Sequence, residues 1–403
     1  MMKVLKSPQL LTYLSTIFVA ATFWAQPLSG ARVPTVLMML LGVGLLIMGK
    51  ISFNDSRLKR FTTIMALFFV PACLSLINSY DPEGTLKLIV VMPLFLLFAA
   101  AMVYLIENKF IPKLFFYVIV VAASFWMFDG IIQLIYGTDL FGIPPWPNDG
   151  IRIVGPFGER LRMGLFLSIS LPLVLFFLKA KGLIWQLVYL AFALLLIMLT
   201  GVRTDMLTAL IAIFIYFIAN KKAKQVFLLI PVLLLAGFVA ANSSSITDSK
   251  LHSFSSVPST YQEWNLLSSH RLDIWLTAKN MFMNHPIIGV GEKSFAEAYD
   301  TYATEGNVFT SQSVYHAHHP IISIAAESGL VGLLGLFTIL TLLYKWGRCA
   351  LKDELWGNPW FQILVLIFFP IQSMPLLFNI WWFPFIAMTM LFYLNDIDKA
   401  LKN

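Results

Sequence analysis

The chain has 403 residues, of which 59% are hydrophobic and only 12% are charged. Soluble domains carry an apolar share nearer half and about a quarter charged residues, so the composition excludes a soluble protein and predicts an integral membrane protein. The formal charge of +7 does not indicate a nucleic-acid partner, because the basic residues follow the membrane topology described below.

Apolar stretches recur along the chain and predict about twelve transmembrane helices, since a helix needs roughly 20 apolar residues to cross a bilayer. They cover residues 9–28, 33–49, 61–79, 86–106, 113–136, 161–179, 183–200, 204–219, 226–241, 319–343, 359–377 and 380–395. No small-residue cleavage site follows the first stretch, so we expect a retained helix there. The predicted fold class is therefore an all-α polytopic membrane protein.

The distribution of basic residues predicts the orientation of these helices. With both termini on the inner side, 18 of the 28 Lys and Arg residues fall on short inner segments, as the positive-inside rule requires. The chain then divides into helices 1–9 (residues 1–241), a large outer loop (242–318) and helices 10–12 (319–403). Cys73 and Cys349 lie in or beside apolar stretches, so neither a disulfide framework nor a CxxC metal site is expected.

Two outer connections are long enough to carry function. The first contains GIPPWPNDGIRIVGPFGERLR, whose prolines and glycines prevent a continuous helix, and it places Arg152, Arg160 and Arg162 beside GPFG. The second is the loop 242–318, which has room for a small subdomain. Arginines on the side that the positive-inside rule disfavours are better explained by an anionic ligand than by topology.

Arg203 lies in LTGVRTDM, between the seventh and eighth apolar stretches. One interpretation is an arginine that extends to the membrane interface and pairs with Asp205. The other is a phosphate-binding residue, because guanidinium presents paired donors that match phosphate oxygens. The residues alone leave both interpretations open.

The large outer loop contains a predicted amphipathic helix followed by a stop at Asn284-His285-Pro286. Ser268 or Ser269 is expected to cap its start, and one face is expected to contact the bundle or the lipid surface. Arg271 would lie in its first turn, where a cation opposes the helix dipole by about 0.3–1 kcal/mol, which is a hint of function. The apolar residues at helical spacing are Leu272, Trp275, Ala278 and Phe282.

The segment YHAHHPIISIAAESGLVG (315–332) holds three of the six histidines of the chain. Pro320 is suited to the first position of a helix, which makes His319 the expected cap and leaves His316 and His318 just outside. Three interpretations remain: incidental surface histidines, a metal site, or anion and proton chemistry at a helix N-terminus. No Cys, clustered carboxylate or HExxH spacing accompanies the histidines, so we expect no metal and favour the third.

Further along the same predicted helix, His319, Ser323 and Glu327 are spaced i, i+4 and i+8 and fall on one face. A glutamate within the membrane is costly unless it is paired, so Glu327 is expected to meet a cation or a hydroxyl. The glycines that follow, Gly329, Gly332 and Gly335, are interpreted as close helix packing.

These segments together resemble the O-antigen ligase and polymerase superfamily of bacterial envelope glycosyltransferases. The resemblance rests on RIVGPFGERLRMG (152–164), LTGVRTDM (199–206), HRLDIWLTAKNMFMNHPIIGVGEKSF (270–295) and HAHHPIISIAAESGLVGLLG (316–335). Its specific parts are the Arg-x-x-x-Trp helix before HPIIGVG and the histidine pair nine residues before Glu-x-Gly-Leu. Members often have His-Asn where this chain has His318-His319, which leaves it open which of the three histidines is the base; we prefer His318.

The resemblance implies a GT-C-like fold and an enzyme of the bacterial inner membrane, with both termini cytoplasmic and the active site facing the periplasm among membrane lipids. It implies transfer of a glycan from undecaprenyl diphosphate to the lipid A-core of lipopolysaccharide, without metal or cofactor and with inversion. Arg203 and Arg271 would stabilise the diphosphate, and His318 would be the base. The expected substrate-binding residues are Arg152, Arg160, Arg162, His316, His319, Trp275 and Glu327.

Three other functions are weighed against the ligase. A polymerase of the same superfamily uses similar chemistry on a lipid-linked acceptor, although a single dominant outer loop and a length near 400 residues favour the ligase. Protein-glycosylating relatives usually carry an added C-terminal region. A transporter or flippase for an anionic lipid would use the same arginines, but no paired broken helices in two repeat halves are visible.

Overall fold

The computed structural model describes residues 32–52, 54–106, 111–146, 152–158, 161–221, 227, 230–231, 233–234, 236–238, 259–312, 314–370 and 382–402. Within these ranges the regular structure is helical, apart from an isolated antiparallel bridge between Trp146 and Arg152. Apolar residues dominate the helices, and their backbone groups are paired within each helix, as a bilayer requires.

The helices are numbered here in chain order. They are α1 (Arg32–Ile47), α2 (Ser56–Ser75), α3 (Pro82–Val91), α4 (Leu94–Ile106), α5 (Ile111–Tyr136), α6 (Met163–Leu178), α7 (Leu183–Leu199), α8 (Arg203–Ala219), α9 (Tyr261–Leu267), α10 (Arg271–Asn284), α11 (Phe295–Tyr302), α12 (Pro320–Leu351), α13 (Pro359–Phe368) and α14 (Phe383–Lys402).

The described residues include five helical segments that are long and apolar enough to cross a membrane, and this confirms a polytopic membrane protein. They are Ser56–Asn78, Pro82–Ile106, Phe116–Tyr136, Met163–Lys181 and Pro320–Gly357. The shorter α1, α7 and α13 are also apolar. The predicted helix 9–28, half of the stretch 226–241 and part of the loop 242–318 lie outside the described residues, so the number of twelve spans stays a prediction.

One predicted span is divided in the structure. The stretch 86–106 forms two helices, α3 and α4, which are separated at Met92 and Pro93. Proline has no N–H to donate within a helix, so the chain changes helix at this position.

Helix α6 lies at the centre of the bundle, and every residue from Met163 to Leu175 is buried. It contacts α5, α7, α8 and α13. At its N-terminal end the Ser168 hydroxyl donates to the carbonyl oxygens of Gly164 (2.7 Å) and Asp205 (2.8 Å), which pins α6 to the first turn of α8. The starts of these two helices are therefore held side by side.

Residues 259–319, here called the loop subdomain, carry α9, α10 and α11 around a hydrophobic core of their own. The core residues are Ile274, Ala278, Met281, Val290, Phe295, Ala298, Tyr299, Val314 and Ala317, joined by Ala326 from α12. The predicted helix is present as α10 and ends at Asn284. The prediction of its buried face was partly wrong, because that face also contains polar residues. Asp273 and Thr277 share the buried face, because Tyr261, Asn265 and Asn307 give them hydrogen-bond partners.

The loop subdomain is docked onto a break in α12. Gly329 has non-helical torsion angles (φ 61°, ψ −153°), and the backbone on either side of it pairs with the segment 286–291. Two N–H groups of this segment donate to α12, from Val290 to Ala326 (2.9 Å) and from Gly291 to Glu327 (3.0 Å). Two N–H groups of α12 donate to carbonyl oxygens of the segment, from Leu330 to Pro286 (2.8 Å) and from Val331 to Ile287 (3.1 Å). The segment thus provides hydrogen-bond partners for the backbone carbonyl and N–H groups of α12 that the break leaves without partners inside the helix.

Close backbone contact at this break requires glycine on both sides. A side chain at Gly289 would place its Cβ 2.3 Å from the Glu327 carbonyl carbon, and one at Gly329 would lie 2.5 Å from that of Ile287. Gly335, one of the glycines interpreted as packing residues, lies directly against the Leu67 carbonyl oxygen of α2. The packing interpretation is confirmed there, whereas Gly329 serves to break the helix.

Candidate active site

A cavity of about 710 Å³ opens where α6, α8 and α10 begin, next to the segment that precedes α12. Seven of the residues that were singled out from the sequence line it: Arg152, Arg162, Arg203, Arg271, Trp275, His316 and His318. They come from four separate stretches of the chain, and the fold brings them together. Arg160 lies outside the described residues.

Arg203 is the first residue of α8, and no side chain caps this helix at Val202. Its guanidinium donates to the carbonyl oxygen of Leu267, the last residue of α9. A contact of this kind joins the transmembrane bundle to the loop subdomain across the cavity.

Arg271 is the first residue of α10, as predicted, but the predicted cap at Ser268 or Ser269 is wrong. The N-cap is His270, in the left-handed conformation (φ 60°), and its side chain makes no capping hydrogen bond. The Ser268 hydroxyl is turned instead to the carbonyl oxygen of Asn265 (2.8 Å). Burial lowers the pKa of Arg271 from its ordinary value, but arginine stays protonated at any physiological pH.

Arg162 and Arg152 enter the cavity from the GPFG segment. Arg162 is the N-cap residue of α6 and makes no side-chain capping hydrogen bond. The backbone beside Arg152 is fixed on both sides: its carbonyl accepts from Trp146 N–H (3.0 Å), and Ile153 N–H donates to Leu199 (3.1 Å). The buried Gln133 of α5 accepts the N–H groups of Val154 and Gly155 (both 2.9 Å).

Three helix N-termini therefore meet at the cavity, each with an arginine at its N-cap or first position, and in none of them does the N-cap side chain accept an N–H group. Other side chains reach two of the first turns, since Asp205 accepts Leu165 N–H in α6 and Asn265 accepts Asp273 N–H (3.3 Å) in α10. A helix N-terminus carries partial positive charge and unpaired N–H groups, and a cation placed there opposes the dipole. An anion in the cavity relieves both problems, since it pairs with the guanidinium groups and accepts from the N–H groups. This arrangement is chemically suited to a multiply charged anion.

His316 and His318 form a pair at the same cavity, with ring centroids 4.2 Å apart and planes inclined at 53°. His318 has a left-handed backbone (φ 52°), which is rare for a residue with a side chain. Such strain is common where a side chain has to be held in one direction for function. An imidazole at this position can take a proton from a hydroxyl group bound beside the anion.

His319 is engaged elsewhere. The N–H of Ile322 donates to its Nδ1 (3.4 Å), so His319 is the N-cap of α12, as predicted. Its ring meets Trp275 edge to face at 5.8 Å, and Trp275 donates its indole N–H to the carbonyl of Ala317 (2.9 Å). Burial lowers the pKa of His319, and the charge of Arg271 lowers it further. His319 thus orients the segment that carries His316 and His318, and it is not among the residues that line the cavity.

Glu327, predicted to bind substrate, is also absent from the cavity wall. Its carboxylate accepts the backbone N–H of Lys293 (2.9 Å), and its neighbour Ser328 donates to the buried Glu292. The three residues of the predicted polar stripe have different partners. Ser323 accepts from the N–H of Ala317 (3.2 Å) and so stabilises the histidine segment. Glu327 meets a backbone donor rather than the expected cation or hydroxyl, and it holds the loop subdomain on α12.

One residue of the cavity wall was missed as a site residue. Asp205 of α8 is 3% exposed and lines the cavity beside Arg203 and Arg271. In the sequence it appeared only as a possible partner of Arg203. Its position in the first turn of a helix that starts at an arginine is a weak signal, because acidic residues are common in first turns. No group of three or more potential metal ligands occurs among the described residues.

Comparison with known proteins agrees with the motifs. Residues 188–337 match the family model described as O-antigen ligase, a range that runs from α7 to α12 and includes Arg203, Arg271 and His318. No curated protein matches the chain. The match supports the resemblance that the sequence motifs indicated, and its range contains three of the candidate site residues.

Proposed function

We propose that this protein is an O-antigen ligase that transfers a polysaccharide from undecaprenyl diphosphate to a sugar hydroxyl of lipid A-core. The observation that carries the proposal is the convergence of three helix N-termini that begin at Arg162, Arg203 and Arg271, with Arg152 in the same cavity wall. Paired guanidinium donors match the oxygens of a diphosphate, and the helix termini add N–H donors to them. The apolar helices offer the prenyl chain a hydrocarbon environment.

The chemistry follows from this arrangement without a metal. The acceptor hydroxyl oxygen attacks the anomeric carbon, and the bond from that carbon to the diphosphate oxygen breaks, so the diphosphate keeps the electron pair. Arg203 and Arg271 stabilise the charge that develops on the leaving oxygen. His318 takes the proton of the acceptor hydroxyl. Attack from the side opposite the leaving group inverts the anomeric configuration.

His318 is preferred as the base on the basis of its neighbours. His319 uses Nδ1 to accept the N–H of Ile322, whereas the rings of His316 and His318 stand together at the cavity. In this proposal the residues that contact substrate are His316, Trp275, Arg152, Arg162 and Arg160, the last of which lies outside the described residues. The site faces the periplasm of the bacterial inner membrane, with both termini in the cytoplasm, in accord with the distribution of basic residues.

The test uses a strain that lacks the gene and is complemented with variants of the protein, with lipopolysaccharide analysed on gels. His318→Ala and Arg271→Ala should be found in the membrane at normal levels but give no polymer on the core, while lipid-linked polymer accumulates. His285→Ala and Arg348→Ala are the matched controls, because His285 bonds Tyr302 and Arg348 bonds Asp353 away from the cavity. Normal long-chain lipopolysaccharide from His318→Ala would contradict the choice of base.

The same gel separates the ligase from the polymerase. Loss of a ligase leaves unmodified core together with intact lipid-linked polymer. Loss of a polymerase leaves core that carries one repeat unit. The second result would overturn the ligase assignment and leave the arginine cavity with a polymerase function.

A further inference from the structure

A second cavity, of about 910 Å³, lies at the other end of the helix bundle. Helices α6 and α8 connect the two cavities, since Arg162 and Arg203 lie at their starts, whereas Lys179 and Lys221 follow their ends. The two helices have 16 and 17 residues, so the cavities are about 25 Å apart along the bundle. This separation is close to the thickness of a hydrocarbon core, which places the second cavity at the headgroup level of the opposite membrane face.

One wall of the second cavity is aromatic. Phe116 and Tyr117 lie near the start of α5 and Phe176 lies near the end of α6, and the rings of Phe116 and Phe176 meet edge to face at 5.9 Å. Tyr117 and Phe176 are 52% and 44% exposed. Exposed aromatic rings at this depth are typical of the membrane interface, where they contact acyl chains on one side and headgroups on the other. This wall is thus suited to the part of a lipid next to its headgroup.

The ends of α6 and α8 form a basic wall. Lys179 and Lys221 line the cavity, and the ammonium group of Lys179 donates to the side-chain oxygen of Asn220 (2.7 Å). An ammonium group has three N–H donors, so this bond leaves donors for a ligand. Lysines are common at a membrane interface, and the basic wall alone therefore indicates no ligand.

The 3₁₀ turn between α12 and α13 adds an acidic wall, which an ordinary basic interface lacks. Asp353 and Glu354 of this turn line the cavity. Arg348 donates to Asp353 (3.0 Å), so Glu354 contributes the larger part of the negative charge. Asp396 lines the cavity as well, but Asn358 already donates to its carboxyl group (2.8 Å).

Charges of both signs therefore line one cavity without neutralising each other. In the part of the chain that the structure describes, no ion pair joins Lys179 or Lys221 to a carboxylate of the acidic wall. An anionic lipid would be attracted by the lysines but repelled by the carboxylates, and for a cationic ligand the two effects are reversed. A ligand with a phosphate and an ammonium group satisfies both walls. A primary ammonium group also donates hydrogen bonds to carboxylates, which a quaternary one, having no N–H, cannot do.

We propose that the second cavity binds a membrane phospholipid whose headgroup carries a phosphate and a primary amine, as in ethanolamine phospholipids. The phosphate contacts Lys179 and Lys221, the ammonium group contacts Glu354, and the acyl chains leave past the aromatic wall. A volume of about 910 Å³ is within the range of small-ligand sites, about 300–1,000 Å³. The site is separate from the arginine cavity, so the inference does not rest on the proposed function.

The experiment is native mass spectrometry of the full-length purified protein with ethanolamine, choline and glycerol phospholipids that have identical acyl chains. The ethanolamine lipid should bind about threefold more tightly than the other two, the size expected of an exposed charge pair. Glu354→Gln should remove this preference, because it removes the partner of the amine. Lys221→Gln should weaken the binding of all three lipids, because each of them carries the phosphate.

Matched controls remove the same charges elsewhere. Lys345→Gln removes an exposed lysine of α12 that does not line the second cavity, and Glu83→Gln removes an exposed carboxylate at the start of α3. Both variants should bind the three lipids as the unmodified protein does.

Three results would overturn the inference. Equal affinity of the unmodified protein for the three lipids, or a preference for the glycerol lipid, would indicate an ordinary basic interface without an amine site. A preference for the ethanolamine lipid that persists in Glu354→Gln would place the amine elsewhere. Equal loss of binding in Lys345→Gln and Lys221→Gln would assign the effect to overall surface charge rather than to the cavity.

Discussion

Replacing Gly289 by alanine is expected to detach the loop subdomain from the break in α12. The new Cβ would lie 2.3 Å from the carbonyl carbon of Glu327, well inside any allowed contact, and that carbonyl group belongs to a helix and has little freedom to move. Gly289 also has φ +69°, a left-handed conformation that alanine disfavours. Both effects weaken the pairing between the segment 286–291 and α12.

The size of the effect follows from these two terms. The left-handed backbone costs an alanine about 1–2 kcal/mol, and inserting a methyl group into a packed contact costs about 1–3 kcal/mol. A sum of about 3 kcal/mol raises the population of the undocked state by roughly 150-fold, since each 1.4 kcal/mol is a factor of ten. Because α10 belongs to this subdomain, Arg271 would leave the cavity whenever the subdomain undocks.

Hydrogen–deuterium exchange measured by mass spectrometry provides the assay. The amides of Val290, Gly291, Leu330 and Val331 donate across the junction, so their exchange should accelerate by the same factor as the undocked population. Gly306→Ala is the matched control, because Gly306 has φ +78° in the same subdomain but no neighbouring atom within 4 Å of a new Cβ. Equal acceleration of these amides in the two variants would refute the steric argument.

Three further outcomes are expected. Arg271→Lys should lose most of its transfer activity in the complementation assay although it keeps its charge, because an ammonium group cannot reproduce two parallel guanidinium hydrogen bonds; near-normal lipopolysaccharide would show that charge alone suffices. His316→Ala should retain more activity than His318→Ala at equal protein levels, and the reverse order would move the base to His316. Burial raises the pKa of Glu292 above its ordinary value of 4.5, so the folded state favours the protonated group and docking should weaken as pH rises above that value. Exchange rates are first divided by the intrinsic rate of each amide, which rises with pH through base catalysis. The remaining increase in junction exchange should disappear in Glu292→Gln, where an amide replaces the acid, and an unchanged pH dependence in that variant would assign the effect to another group.

The docking junction explains how the loop subdomain can place a residue accurately next to the helix bundle. On either side of Gly329 the backbones of the loop subdomain and α12 pair directly. Ser75 and Thr85, at the ends of α2 and α3, bond the backbone of Glu292 and extend the contact to a second pair of helices. The position of Arg271 relative to Arg203 therefore depends on residues that never reach the cavity.

The sequence by itself determined the features that depend on local chemistry. Hydropathy identified a polytopic membrane protein, because burying the backbone in lipid demands long apolar helices. The cap at His319 followed from helix-end preferences, which act within one turn of the chain. The same preferences placed the cap of α10 wrongly at Ser268 or Ser269, although Arg271 does lie in its first turn. The family motifs were recognised for the same reason, since each is a short run of residues.

Only the tertiary structure decided which of these residues share a site. Arg162, Arg203 and Arg271 each begin a different helix, and no local signal says that the three helix ends converge. Convergence depends on packing between residues distant in the chain, such as the fit of Asp205 against Gly164. The structure also places Glu327 and His319 outside the cavity wall. Each of them accepts a backbone N–H group, whereas the sequence left a bound ligand possible as the partner. Buried polar groups take whichever partner the fold brings nearest, and that choice is made in three dimensions.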